Sequence, residues 1–117
     1  MPNPTPDPQS EAPRLVLVTA PNAETAERLA EGLLERELCA CCNLVPGVTS
    51  LYRWEGAVQR ATEQLMLVKT TAEHLRAVQA FLKTEHPYDV PECIALEPAA
   101  VEGSYLAWWL AAVRGGR

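Results

Sequence analysis

The sequence predicts an α+β fold of the order β-α-β-β-α-β, closed by a further helix at the C-terminus. Short β-branched apolar runs alternate with two segments of helical period. Between those segments lie two extended runs of about fourteen residues, far longer than the usual strand of about five or six. A final apolar stretch, "YLAWWLAAVR", is too greasy on every side to be left in water.

Taken in order, "RLVLVTA" (residues 14–20) is a strand whose unbroken apolar run predicts burial on both faces. In "PNAETAERLAEGLLERELCA" the period changes. Ala26, Leu29, Ala30, Leu33 and Leu34 form one helical stripe, with Asn22 as N-cap and Glu24 at the positive end of the dipole. The next segment, "CCNLVPGVTSLYRW", reads as one hairpin arm, with a bulge or bend at Pro46–Gly47. Glu55–Gly56 supplies a tight turn, and "AVQRATEQLMLVKT" returns. Thr71 is the expected cap of a second helix with the stripe Leu75, Val78, Phe81 and Leu82, stopped by Pro87. "PECIALEP" (91–98) is a short strand, and Ser104 is the expected cap of the last helix.

This order is the split βαβ, or ferredoxin-like, arrangement. Right-handed crossovers give the strand order 4-1-3-2 with both main helices on one face. Cys93 then lies at one sheet edge and Cys39, Cys41 and Cys42 at the other, so they do not meet within one chain. Both edges and the overhanging hairpin carry unpaired backbone, and pairing between copies would satisfy it. The expectation is an obligate homo-oligomer.

Residues 1–13 hold five of the ten prolines, no basic residue and no apolar stretch. They read as a disordered leader, with the domain spanning residues 14–114, and not as a secretory signal. The expected location is therefore cytoplasmic, where thiols stay reduced. A net charge of −5 without a basic cluster argues against a nucleic-acid partner. The chain also has no apolar run of about eighteen residues that would span a membrane.

Five pieces of the sequence resemble the CutA divalent-cation tolerance family. They are "TAPN", "ACCNLVPGVTSLYRWEG", "E…LMLVKTT", "HPYDVPE" and "YLAWW", in order across residues 14–113. The resemblance implies a ferredoxin-like homotrimer that binds copper or another divalent cation without needing it to fold. It makes Cys41 the family's usual cysteine, Tyr52 and Trp54 its aromatic pair, and Glu63 and Lys69 its acid and base on the return arm. His86, Pro87, Tyr88, Pro91 and Glu92 match its turn motif. Cys39, Cys42 and Cys93 stand where small or aliphatic residues are expected, and Val18 and Phe81 where some members carry cysteine.

Two readings of the cysteines stand side by side. In extended chain Cys39 and Cys41 share a face opposite Cys42, enough for two thiolates on a soft metal but not for four zinc ligands. Free cysteine is equally a small buried hydrophobe. His86 could bind a divalent metal with Glu85, Glu92 or a neighbour's Cys41, or could support a helix C-terminus by its charge. His74 is expected to be solvated. Tyr52, Trp54, Glu63, Lys69, Tyr88 and Glu92 are expected at an inter-subunit cleft, with Glu63 and Lys69 as a buried ion pair or a proton-transfer pair. No nucleophile-base-orienter set and no phosphate loop can be read, so no enzyme is expected. The functional expectation is a non-catalytic metal-response trimer; the alternative is a trimeric sensor or scaffold holding a metabolite in its clefts.

Overall fold

The computed structural model describes residues 11–116. Strand β1 (Pro13–Ala20) leads into helix α1 (Ala23–Glu35), then the hairpin arms β2 (Cys41–Trp54) and β3 (Ala57–Thr71). A single 3-10 turn (Ala72–His74) opens helix α2 (Leu75–Glu85), followed by the short β4 (Ile94–Leu96) and α3 (Gly103–Val113). The sheet is antiparallel in the order β2-β3-β1-β4, the expected 4-1-3-2 read from the other edge.

The core lies between one sheet face and two helices. Val16, Val18 and Ala20 of β1 and Met66 and Val68 of β3 are fully buried against Ala26, Leu29 and Leu33 of α1 and Val78 and Leu82 of α2. Each large side chain contributes about 1.5–3 kcal/mol by leaving water. Burial of β1 on both faces is not found. Its residues alternate, because α1 and α2 cover one face while Leu15 and Leu17 on the other stay half-buried. Leu34 also falls outside the buried stripe, at 42% exposed. Gly32 lets the helices close together: a Cβ there would lie 2.5 Å from Phe81 Cζ.

The caps differ in instructive ways. Asn22 Oδ1 accepts from Thr25 N at 2.8 Å, as its type requires. Thr71 occupies the expected cap position, but its hydroxyl bonds His74 Nδ1 at 2.7 Å rather than the backbone. His74 is therefore half-buried and partnered, not solvated. The cap of α3 is Glu102, not Ser104. Its carboxylate accepts from Ser104 N, Tyr105 N and the Ser104 hydroxyl at 3.0, 2.9 and 2.6 Å. Those bonds, the Ser104 hydroxyl's first among them, pull the Glu102 carboxyl from 4.5 down to about 2.

The hairpin runs well past the sheet. β1 ends with Ala20 opposite Gln64, so from Glu63 outward β3 pairs with β2 alone. Register slips by one residue between Val45 and Val48, where Gly47 takes a φ of 72°. Glu55 and Gly56 turn the chain with φ of 49° and 80°, the two positive values of a type I′ turn. The overhang stretches the molecule to 59 × 26 × 26 Å, with a radius of gyration of 15.7 Å against about 13 Å for an ordinary domain of ~100 residues.

Residues 1–10 of the expected leader lie outside the described residues. The last three of that segment belong to the fold. Pro13 starts β1, Ala12 O accepts from Ala72 N at 2.9 Å, and Glu11 pairs with Arg114 at 2.9 Å. Strand β4 is shorter than expected, three exposed residues between proline-flanked loops.

Candidate functional site

Residues at alternate positions of β2 share a face, so Tyr52 and Trp54 stand on one side of the overhang with Glu63 of β3. The loop after α2 folds over the end of β1 and brings Tyr88, Asp89, Val90 and Glu92 to the same place. Together with Thr19, Thr49, Ser50 and Leu51 they line an open cleft of about 670 Å³. Glu63 is its most buried acid, at 8% exposed, and its Oε2 accepts from Tyr88 Oη at 2.8 Å. Burial and then this charge-assisted bond raise the Tyr88 hydroxyl from 10.0 to about 12. Burial, and secondarily the charge of Glu63, also raise Glu92.

His86 sets the loop. Its ring is buried, Nε2 lies 2.8 Å from Thr19 O, and Nδ1 is 3.1 Å from Tyr88 N. A backbone N–H can only donate and a carbonyl can only accept, so Nδ1 is the acceptor and Nε2–H the donor. The ring also packs on Tyr88, centroid to centroid 4.7 Å. Thus His86 holds Tyr88, and Tyr88 holds Glu63.

Lys69 is not part of this cleft, and the expected Glu63–Lys69 ion pair does not form. Six residues along one strand separate them by roughly 20 Å. Lys69 Nζ donates instead to Tyr105 Oη at 2.8 Å and lies 5.2 Å from that ring's centroid. The hydrogen bond to Tyr105 raises Lys69 against the opposing effect of burial. Five of the six expected cleft residues therefore converge, and Lys69 belongs to a second cluster with Tyr105 and Cys41.

Comparison with known proteins decides the family. The model of the CutA1 divalent ion tolerance protein matches residues 14–112. The chain belongs to the CutA1 family. The divalent-cation tolerance protein CutA of Thermus thermophilus is 46% identical over 94 residues, covering 80% of this chain and 91% of that protein. Its namesake in Pectobacterium atrosepticum is 43% identical over 100 residues, covering 86% and 91%. The crystal structure of CutA from Xylella fastidiosa superposes with a TM-score of 0.83 at 34% identity, over 86% of this chain and 97% of that one.

This CutA1 chain does not assemble the expected metal set by itself. Cys41 sits opposite Lys69, which faces Leu15, whereas His86 binds Thr19, four residues on and roughly 13 Å away along β1. Both His86 nitrogens are already engaged. Glu85 is turned to α1, where Arg28 reaches its carboxylate at 3.7 Å and its carbonyl at 3.0 Å. Among the described residues, no three His, Cys, Asp or Glu side chains are grouped to hold a metal ion.

The cysteines also divide differently. Strand β2 begins only at Cys41, so alternation does not reach back to Cys39, which is in the core at 1% exposed. Cys42 packs against the same core, and burial pushes both thiols up to about 12. Cys41 alone faces the other way, its Sγ 3.9 Å from Asn43 Oδ1. The residues missed from sequence are Thr19, Asp89 and Tyr105. All three lie inside the quoted motifs, Thr19 in "TAPN", Asp89 in "HPYDVPE" and Tyr105 in "YLAWW".

Proposed function

We propose that the chain is a non-catalytic, homotrimeric divalent-cation tolerance protein of the cytoplasm, taking copper or another divalent ion weakly at sites completed between subunits. The observation that carries this reading is the overhanging hairpin. Leu51, Tyr52, Trp54 and Val58 are exposed along it, as are Ile94 and Leu96 of the edge strand β4. Apolar side chains and open backbone edges in one molecule call for a sister chain. Joining β2 of one copy to β4 of the next would close a ring.

For the cation, Cys41 is the remaining candidate donor of the expected set, because His86 and Glu85 are committed to internal partners. Four cysteines held as free thiols fit a reducing compartment. The family is described by tolerance of divalent ions and not by a reaction. Native mass spectrometry with and without added Cu²⁺ and Zn²⁺ tests the proposal, since it reads subunit number and bound ion together. A monomer, or a trimer indifferent to both ions, would refute it.

A second reading, a trimer that holds a small molecule in its clefts, is favoured by the 670 Å³ space between Trp54 and Glu92. A trimer that ignores metal but retains a copurified metabolite would establish that reading instead.

A further inference from the structure

The cleft lining has a one-sided chemistry. Among the described residues of one chain it is lined by three carboxylates, Glu63, Asp89 and Glu92, and by no lysine, arginine or histidine. It also carries the rings of Tyr52, Trp54 and Tyr88. Within one chain Trp54 and Tyr52 are 54% and 46% exposed. Tyr88 is committed to Glu63, which it holds against the cleft wall.

A small hard metal ion would use the oxygens and ignore the rings, and these acids are not grouped as ligands. An anion would meet three like charges. An organic cation uses both features. Its charge lies over indole and phenol faces, worth roughly 0.5–2 kcal/mol per contact, and the carboxylates neutralise it. The volume suits a small molecule, being within the roughly 300–1,000 Å³ typical of ligand sites.

We infer that the cleft bounded by Trp54, Tyr52, Glu63 and Glu92 is a binding site for a small organic cation, an alkylated or primary ammonium compound. This deepens the small-molecule reading and rests on it. Glu63 is fixed in place by the His86–Tyr88 chain, so one carboxylate is set before the ligand arrives. Glu92 and Asp89 line the same cleft and add two further carboxylates.

The test uses the full chain titrated with choline and with its neutral isostere 3,3-dimethyl-1-butanol, followed by calorimetry. Native mass spectrometry of the same samples reports assembly. Choline is expected to bind at least tenfold more tightly than the alcohol. Glu92→Gln and Trp54→Leu should each weaken choline at least threefold, whereas Leu34→Ala, an exposed α1 residue outside the cleft, should leave it unchanged. Trp54→Phe, which keeps an aromatic face, should restore most of the loss and so separates recognition from folding. Equal binding of the two probes, or Glu92→Gln and Trp54→Leu proteins that match the wild type, overturns the proposal. An intact oligomer holding a neutral or anionic metabolite that choline does not displace overturns the cation class and spares the small-molecule reading. If an intact oligomer binds neither probe and holds no copurified metabolite, a sister chain fills the cleft, and both readings fall.

Discussion

The hydroxyl of Tyr88 donates to Glu63 Oε2 across 2.8 Å, joining the loop after α2 to the overhanging part of β3. Glu63 is nearly withdrawn from water, and a buried carboxylate stripped of its donor keeps the desolvation cost without the bond. Tyr88→Phe should therefore cost about 1–3 kcal/mol. Urea unfolding at one fixed protomer concentration measures it, with Tyr52→Phe as the control. If the two substitutions cost the same, the bond does not hold the loop.

Trp109 anchors the last helix within its own chain. It is 4% exposed and its Nε1–H donates to Thr70 O at 2.9 Å. Trp109→Ala removes a large ring and its bond to Thr70 O, and should cost about 3–5 kcal/mol. Trp108, 47% exposed, should cost the isolated chain far less, and its substitution should tell on assembly instead. Thermal melts across protein concentration separate the two effects.

The cap of α3 makes stability depend on acid pH. Folding lowers the Glu102 carboxyl from 4.5 to about 2, so the native state binds fewer protons than the unfolded chain in that interval. The contribution is complete above pH 4.5 and is lost as pH falls toward about 2. Glu102→Gln should melt lower than wild type at pH 7, and the gap should narrow through this window. A gap independent of pH would mean that the charge plays no part.

Cys41 and His86 make opposite predictions for metal. Cys41 presents its thiol away from the core, whereas His86 has both nitrogens engaged. Cys41→Ser should lower bound copper per chain, and His86→Gln should leave it unchanged while lowering the melting temperature. Mass spectrometry under native conditions reads the first, calorimetry the second. Copper uptake lost in His86→Gln protein of unchanged melting temperature would reverse the assignment.

Truncation tests where the fold begins. Removing residues 1–10 spares Glu11 and Ala12, while removing 1–12 deletes the Arg114 ion pair and the Ala12–Ala72 hydrogen bond. The pair is exposed and worth little, and the hydrogen bond contributes about 1 kcal/mol. The longer truncation should melt slightly lower than the shorter one, and identical melts would show that neither contact matters.

What the sequence determined by itself was most of what is local or periodic, the α3 cap and the one-sided burial of β1 excepted. The helical stripe from Ala26 to Leu33, the Asn22 cap, the Pro46–Gly47 bulge and the Glu55–Gly56 turn each follow from side-chain period or backbone freedom within a few residues. From these the element order and the strand order followed. Tertiary structure decided the partner of each polar group. Glu63 and Lys69 look like an ion pair on one strand, yet each is claimed by a tyrosine from a distant element. His86 looks like a free ligand, yet Thr19, 67 residues away, takes its Nε2–H. A charged or imidazole group will satisfy itself with whichever donor or acceptor the fold brings within about 3 Å, and spacing along the chain does not encode that choice.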